Sequence, residues 1–174
     1  MITIDGGTGI IKHNGIEIAS DKMYDQWRLS ENETIASAGE VVIDWERPTE
    51  TGTGTYITGM SHSSGVFTFP KSGIYKVQFT CTFYSSDAKR YAGVQMFIST
   101  NSGGSFSEIA KNYTSIYEND SNAYATGTTT MYLDIQDAST YRVRFACNAQ
   151  NDVTLYGAND ETRTTVLFER IAST

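Results

Sequence analysis

The chain has 174 residues, 39% hydrophobic and 19% charged, which is enough for one domain with a proper core and too mixed for a disordered polymer. No apolar run approaches the roughly 18 residues of a membrane-spanning helix, and a formal net charge of -7 repels phosphate backbones and anionic lipid, so neither nucleic acid nor a membrane is an expected partner. With 15 Gly, 11 Tyr and 8 Phe against 2 Pro, the composition is that of an all-β domain, aromatic residues filling pleated faces and Gly the turns.

The N-terminus, Met1 to Asp5, carries neither a positive n-region nor a continuous apolar h-region, so no secretory signal is expected. Residues 1–20 read as an arm of tiny strands at 2–4, 9–11 and 16–18, joined by Gly6-Gly7 and Asn14-Gly15 turns. Burying Ile2, Ile4, Ile10, Ile11, Ile16 and Ile18 yields about 1.5–3 kcal/mol each, yet ordering each residue costs about 1–2 kcal/mol of backbone entropy. The arm is therefore expected to fold only against sister subunits or a larger assembly, which makes these six isoleucines candidate anchors. An edge hairpin folded back on its own domain is the alternative. Residues 21–174 read as the domain proper.

Helical spacing is confined to two short windows, Asp21 to Trp27 and Ser107 to Asn112. Strands are expected at Val41 to Trp45 and, most clearly, from Gly73, where Tyr75, Val77, Phe79, Cys81 and Phe83 share one face. Further strands follow at Tyr91 to Ser99, Thr130 to Ile135, Tyr141 to Cys147, Asp152 to Gly157 and Thr164 to Ile171. Many short strands and few helices predict a sandwich, barrel or jelly roll. Phe67, Phe69, Tyr75, Phe79, Phe83, Phe145 and Phe168 are the candidate core or subunit-packing residues. Cys81 and Cys147 lie on apolar faces by parity and are expected as neighbouring free thiols, in keeping with a reducing compartment.

Catalysis has little to work with. The only histidines are His13 and His62, there is no Gly-x-Ser-x-Gly elbow, and His62 in the polar stretch Ser61 to Ser64 reads as a hydrogen-bonded loop residue rather than a general base. A zinc site needs several spaced His or Cys ligands. The oxygen-rich stretches Glu118 to Asn122 and Asn148 to Asp152 read as solvated turns rather than calcium loops, and the acids offer no privileged pair for glycoside hydrolysis. No catalytic residue, cofactor or metal set is assigned, and the chain is expected not to be an enzyme. The segment Ser99 to Phe106 is similar to the Asp-box turn of sialidase-type propellers; occurring once, it reads as a β-hairpin turn. Phe106, Tyr113, Tyr117 and Tyr124, in the stretches 101–106 and 113–127, are the candidate ligand-contacting residues.

The stretch Gly65-Val-Phe67-Thr-Phe69-Pro70-Lys-Ser-Gly73-Ile-Tyr75-Lys-Val-Gln-Phe79 resembles the central motif of the C1q and tumour-necrosis-factor-like (TNF-like) jelly roll, in which an aromatic strand, a Pro turn, a Gly and a Tyr-containing strand follow at this spacing. Val41 to Trp45 and Tyr56 to His62 look like the segments preceding that motif, and Thr165 to Ile171 looks like the family's last, central strand. The resemblance covers roughly residues 38–174 and implies an all-β jelly-roll sandwich assembled as a homotrimer. C1q-like domains behind short glycine-rich N-terminal segments are also similar to surface proteins of tailed bacteriophages. That similarity implies a non-enzymatic virion protein, assembled in the host cytoplasm and displayed on the virion surface. In this reading it is a capsid decoration or cement subunit docked through its arm onto other virion proteins, the major capsid protein first. The alternative is a tail-fibre or tailspike domain that recognises a host-surface glycan.

Overall fold

The computed structural model describes residues 1–4, 11–13, 16–17, 22–36, 39–50, 52, 58–117 and 123–174, and among these it contains strands and no helix. In chain order they are β1 (Ile2–Ile4), β2 (Ile11–His13), β3 (Ile16–Glu17), β4 (Met23–Leu29), β5 (Glu33–Ile35), β6 (Glu40–Val41), β7 (Trp45–Glu46) and β8 (Ser61–Ser63). There follow β9 (Val66–Thr68), β10 (Gly73–Ser85), β11 (Lys89–Ser99), β12 (Ser107–Ile116), β13 (Ala123–Ile135), β14 (Arg142–Ala149), β15 (Val153–Leu155) and β16 (Thr165–Ala172).

Strict alternation makes β10 the spine of the first sheet: every odd residue from Gly73 to Ser85 is buried and every even one half-exposed. On one side it pairs with β13 along its whole length; on the other it pairs with β16 near its start and β15 near its end. The sheet continues outward through β4 and β7 on one branch and β5 on the other. The second sheet runs β12-β11-β14-β9-β8, with β6 also on β14. All these pairings are antiparallel, and the inner faces of the two sheets close on one aromatic core. There Phe67 and Phe145 of the second sheet meet Phe79 and Phe168 of the first, with ring centroids 5.1 Å apart for Phe79–Phe145 and for Phe67–Phe168. Phe69, Tyr75 and Phe83 are buried in the same layer. This is the all-β jelly-roll sandwich that the alternation and the family resemblance predict.

The start of β10 accepts only glycine. Gly73 has φ of +148°, and an added Cβ would stand 2.6 Å from the Ala172 carbonyl oxygen. Just before it, the Tyr75 hydroxyl donates to the Lys71 carbonyl at 2.8 Å, which ties the Pro70 turn to the strand.

Both helical windows are strands. Residues 21–27 fall on β4 after Lys22, because Met23 and Trp27, four apart, satisfy a period of two as well as a period of 3.6. The window 107–112 opens β12, where a register irregularity opposite Met96/Phe97 breaks the alternation and mimics a helical pattern. The single strand expected at 41–45 is two strands: β6 belongs to the second sheet and β7 to the first. The chain changes sheets at 42–44, held by the Trp45 Nε1–H donating to the Val42 carbonyl at 2.9 Å.

Near the N-terminus, β1, β2 and β3 form a small antiparallel sheet in which, among the described residues, the strands pair only with one another. Ile2, Ile4, Ile11 and Ile16 lie on these strands, and Ile2 is exposed. Ile10 and Ile18 lie outside the described residues.

Candidate functional site

Strand direction divides the sandwich into two ends. Met23, Gly73, Ile135 and Arg170 mark one end, the base, where the chain enters from the N-terminal strands. The turns after β10 and β14, the end of β12 and the start of β15 mark the other, the tip. The 100–106 hairpin between β11 and β12 belongs to the base, where Ser102 N donates to the Thr140 carbonyl at 2.7 Å. Asn101 organises that hairpin, its Oδ1 accepting Ser105 N at 3.0 Å. Tyr117, 83% exposed, follows β12 at the tip. The described residues of the two candidate stretches, 101–106 and 113–127, therefore lie toward opposite ends of the molecule.

The candidate aromatic residues are also less loop-like than their sequence context suggests. Tyr113 lies on β12 with its ring across Gly93, and Tyr124 lies on β13. Tyr124 joins Tyr84 and Tyr156 in a three-ring cluster with centroids 5.3–5.7 Å apart, and the Arg163 guanidinium stacks on Tyr156 at 3.6 Å. Phe106 is half-buried beneath Arg144, 4.2 Å from the guanidinium carbon to the ring. Residues 118–122, one of the two oxygen-rich stretches, lie outside the described residues. Of the other, Asn148 is buried on β14 and Asp152 is exposed in the turn that follows. Among the described residues no group of three His, Cys, Asp or Glu is placed to hold a metal ion.

His62 is on β8, not in a loop. Its ring packs against Phe67 and Trp27, with centroids 4.8 and 5.5 Å away, and its Nε2 accepts Gly65 N–H at 2.9 Å. Burial holds its pKa below the ordinary 6.5, against a smaller opposing pull from the Asp44 charge. Because the folded state binds fewer protons than the unfolded one below that value, His62 contributes stability that is lost as pH falls through and below 6.5. Glu33, whose carboxyl is raised above 4.5 chiefly by burial, works in the opposite sense near the bottom of that range. Denaturant unfolding of wild type and His62→Gln between neutral pH and about pH 5 isolates the effect: the wild type is expected to lose more stability than the variant, and parallel curves would show that His62 does not titrate there.

Cys81 and Cys147 are both free and fully buried, and burial, followed by the neighbouring Cys81 thiol, pushes the Cys147 thiol well up. They are neighbours in the core, as their parity predicts.

Sequence reading missed the outward face of the first sheet. Its rows, read through the register, run Tyr132–Lys76–Glu169–Tyr24 and Thr130–Gln78–Leu167–Gln26. Tyr24 is 42% exposed, Tyr132 64%, Leu167 36% and Ile171 38%, so apolar side chains line a face otherwise made of Thr, Gln, Lys and Glu. A shallow groove of about 180 Å³ runs between Tyr24, Lys76, Gln78 and Leu167. Two residues beyond Gln26 along β4, Arg28, 1% exposed, is held by Glu46 Oε1 at 2.8 Å, by Glu50 and by the Asn159 carbonyl. The signal available in the sequence was Val-Leu-Phe-Glu-Arg-Ile at 166–171, which is apolar on both faces of one strand.

No family model matches the chain, and no curated protein does. Solved structures do. Murine APRIL, crystallised at pH 5.0, superposes with a TM-score of 0.59 at 12% identity, covering 87% of this chain and 100% of that one. Eiger TNF from S. frugiperda gives 0.58 at 11% identity, covering 88% and 94%. Murine APRIL at pH 8.5 gives 0.53 at 12% identity, with 87% and 100% covered. These likenesses establish the fold as a TNF-like jelly roll.

Proposed function

We propose that this chain is a non-enzymatic, homotrimeric surface protein of a tailed-bacteriophage virion, a capsid decoration or cement subunit whose residues 1–20 dock it onto the particle. The observation that carries the trimer is the exposed apolar face of the first sheet, with Tyr24, Tyr132, Leu167 and Ile171 on one surface, a pattern that marks a partner-binding face in a soluble domain. The N-terminal sheet, paired within itself and too small to supply its own core, suits an anchor completed by another surface. Virion residence follows from the resemblance to phage surface proteins. Deleting residues 1–20 is expected to leave a folded trimer that no longer co-sediments with stripped particles; a truncated protein that still decorates them overturns the docking role.

A second reading has its own support. The tip, at the opposite end of the sandwich from the start of β4, carries exposed Tyr117 and the Tyr84, Tyr124 and Tyr156 cluster, as suits a tail-fibre or tailspike domain that presents a host-surface glycan site on one end.

A further inference from the structure

The tip also holds a cavity of about 550 Å³ between the β10–β11 turn and the β14–β15 turn, walled by Tyr84, Asp87, Lys89, Asn151, Asp152 and Thr154. None of the candidate ligand residues read from the sequence lines it. Lys89 is the informative member. Its side chain is only 6% exposed, and among the described residues its ion partner, Asp87, stands 3.8 Å away, beyond hydrogen-bond distance. An ammonium with three donors, on a side chain otherwise almost wholly buried, thus lines a space whose other walls are mostly hydroxyls, with two carboxylates and one amide.

We propose that this cavity is a subsite for one neutral sugar unit, a hexose or N-acetylhexosamine, of a surface polysaccharide; the proposal rests on the glycan-recognising reading above. The chemistry is matched group by group. The Asp87 and Asp152 carboxylates accept hydrogen bonds from sugar hydroxyls, the Asn151 amide both donates and accepts, and Lys89 donates to a hydroxyl or acetamide oxygen. The Tyr84 ring adds an apolar wall. Two carboxylates against one ammonium leave the cavity net negative on a chain of net charge -7, which disfavours uronic, sialylated or sulfated glycans. The ammonium in turn repels a metal cation. The volume is that of a small-ligand pocket, and its place at the tip sets it at the opposite end of the sandwich from Met23, where β4 begins.

The test is a printed array of neutral and acidic oligosaccharides, probed with labelled wild type, Asp87→Asn, Asp152→Asn and Asp134→Ala. Asp87 and Asp152 are exposed, so their variants are expected to keep the wild-type melting temperature, which separates loss of binding from loss of fold. Wild type is expected to bind neutral glycans, each Asp→Asn change to weaken that binding about tenfold, the worth of one charge-assisted hydrogen bond, and Asp134→Ala, which removes an exposed carboxylate near the base, to leave it unchanged. Glycan binding that survives both Asp→Asn substitutions, or that prefers acidic glycans, overturns this site while the glycan reading stands. No binding by wild type to any glycan overturns both.

Discussion

Asp25→Ala is expected to be among the most destabilising single substitutions in the chain, costing about 2–5 kcal/mol. Asp25 is 2% exposed, and its carboxylate gathers four donor contacts: Trp27 Nε1 at 3.0 Å, Met60 N at 2.6 Å, and Arg47 through Nε at 2.9 Å and Nη2 at 3.0 Å. Arg47 is 38% exposed and can be solvated when its partner is lost, so the cost falls on the other two. The Trp27 and Met60 N–H groups are left buried without an acceptor, at about 1–3 kcal/mol each. The Arg47 guanidinium also lies 4.2 Å over the Trp27 ring, and that stacking loosens with it. Against a total stability of about 5–15 kcal/mol for a domain of this size, the loss is a large fraction. Urea unfolding followed by tryptophan fluorescence checks it, with the exposed Asp134→Ala as a reference expected to lie within about 0.5 kcal/mol of wild type. A cost for Asp25→Ala no larger than that of the reference would mean the four contacts do not tie the 47–60 segment to β4.

Leu167→Glu is expected to split the proposed trimer into folded single chains. Leu167 lies on the outward face of β16, in the middle of the first sheet and between Gln78 and Gln26 in register, so its side chain contributes little to the core beneath. In a trimer packed on this face each subunit would bury an unpaired carboxylate, at an effective cost of several kcal/mol per ion. Light scattering is expected to give the mass of one chain for the variant and three for the wild type, with the same far-ultraviolet circular dichroism. A variant that keeps the wild-type mass would place the subunit contacts on another face.

The parts of the fold that were legible are those where one local rule decides. Alternation over 73–85 and 141–147 located β10 and β14, and the same parity placed Cys81 beside Cys147 in the core. The family motif set the turn at Pro70 and the glycine at 73. Elsewhere the deciding contact is remote in sequence. Residues 41–45 read as one strand because nothing local shows that Val42 to Asp44 cross between sheets, a crossing fixed by Trp45 in the core. Tyr113 and Tyr124 were assigned to loops because their neighbours are Thr, Ser, Asn and Ala; in the structure those residues form long, half-exposed strands. Asp25 stands among Met23, Tyr24 and Trp27 as an isolated charge, and its partners, Arg47 and Met60, lie 22 and 35 residues downstream. The tip cavity joins Thr34 of β5 to side chains of the β10–β11 and β14–β15 turns, so no spacing rule reaches it.

The most direct measurement is the copy number of this protein in purified source particles, by quantitative mass spectrometry against the major shell protein. An abundance comparable with the shell protein is the expected result for a decoration or cement subunit anchored by its arm. A few copies per particle would move the assignment to the tail and its receptor, and complete absence from the particles would contradict the virion assignment.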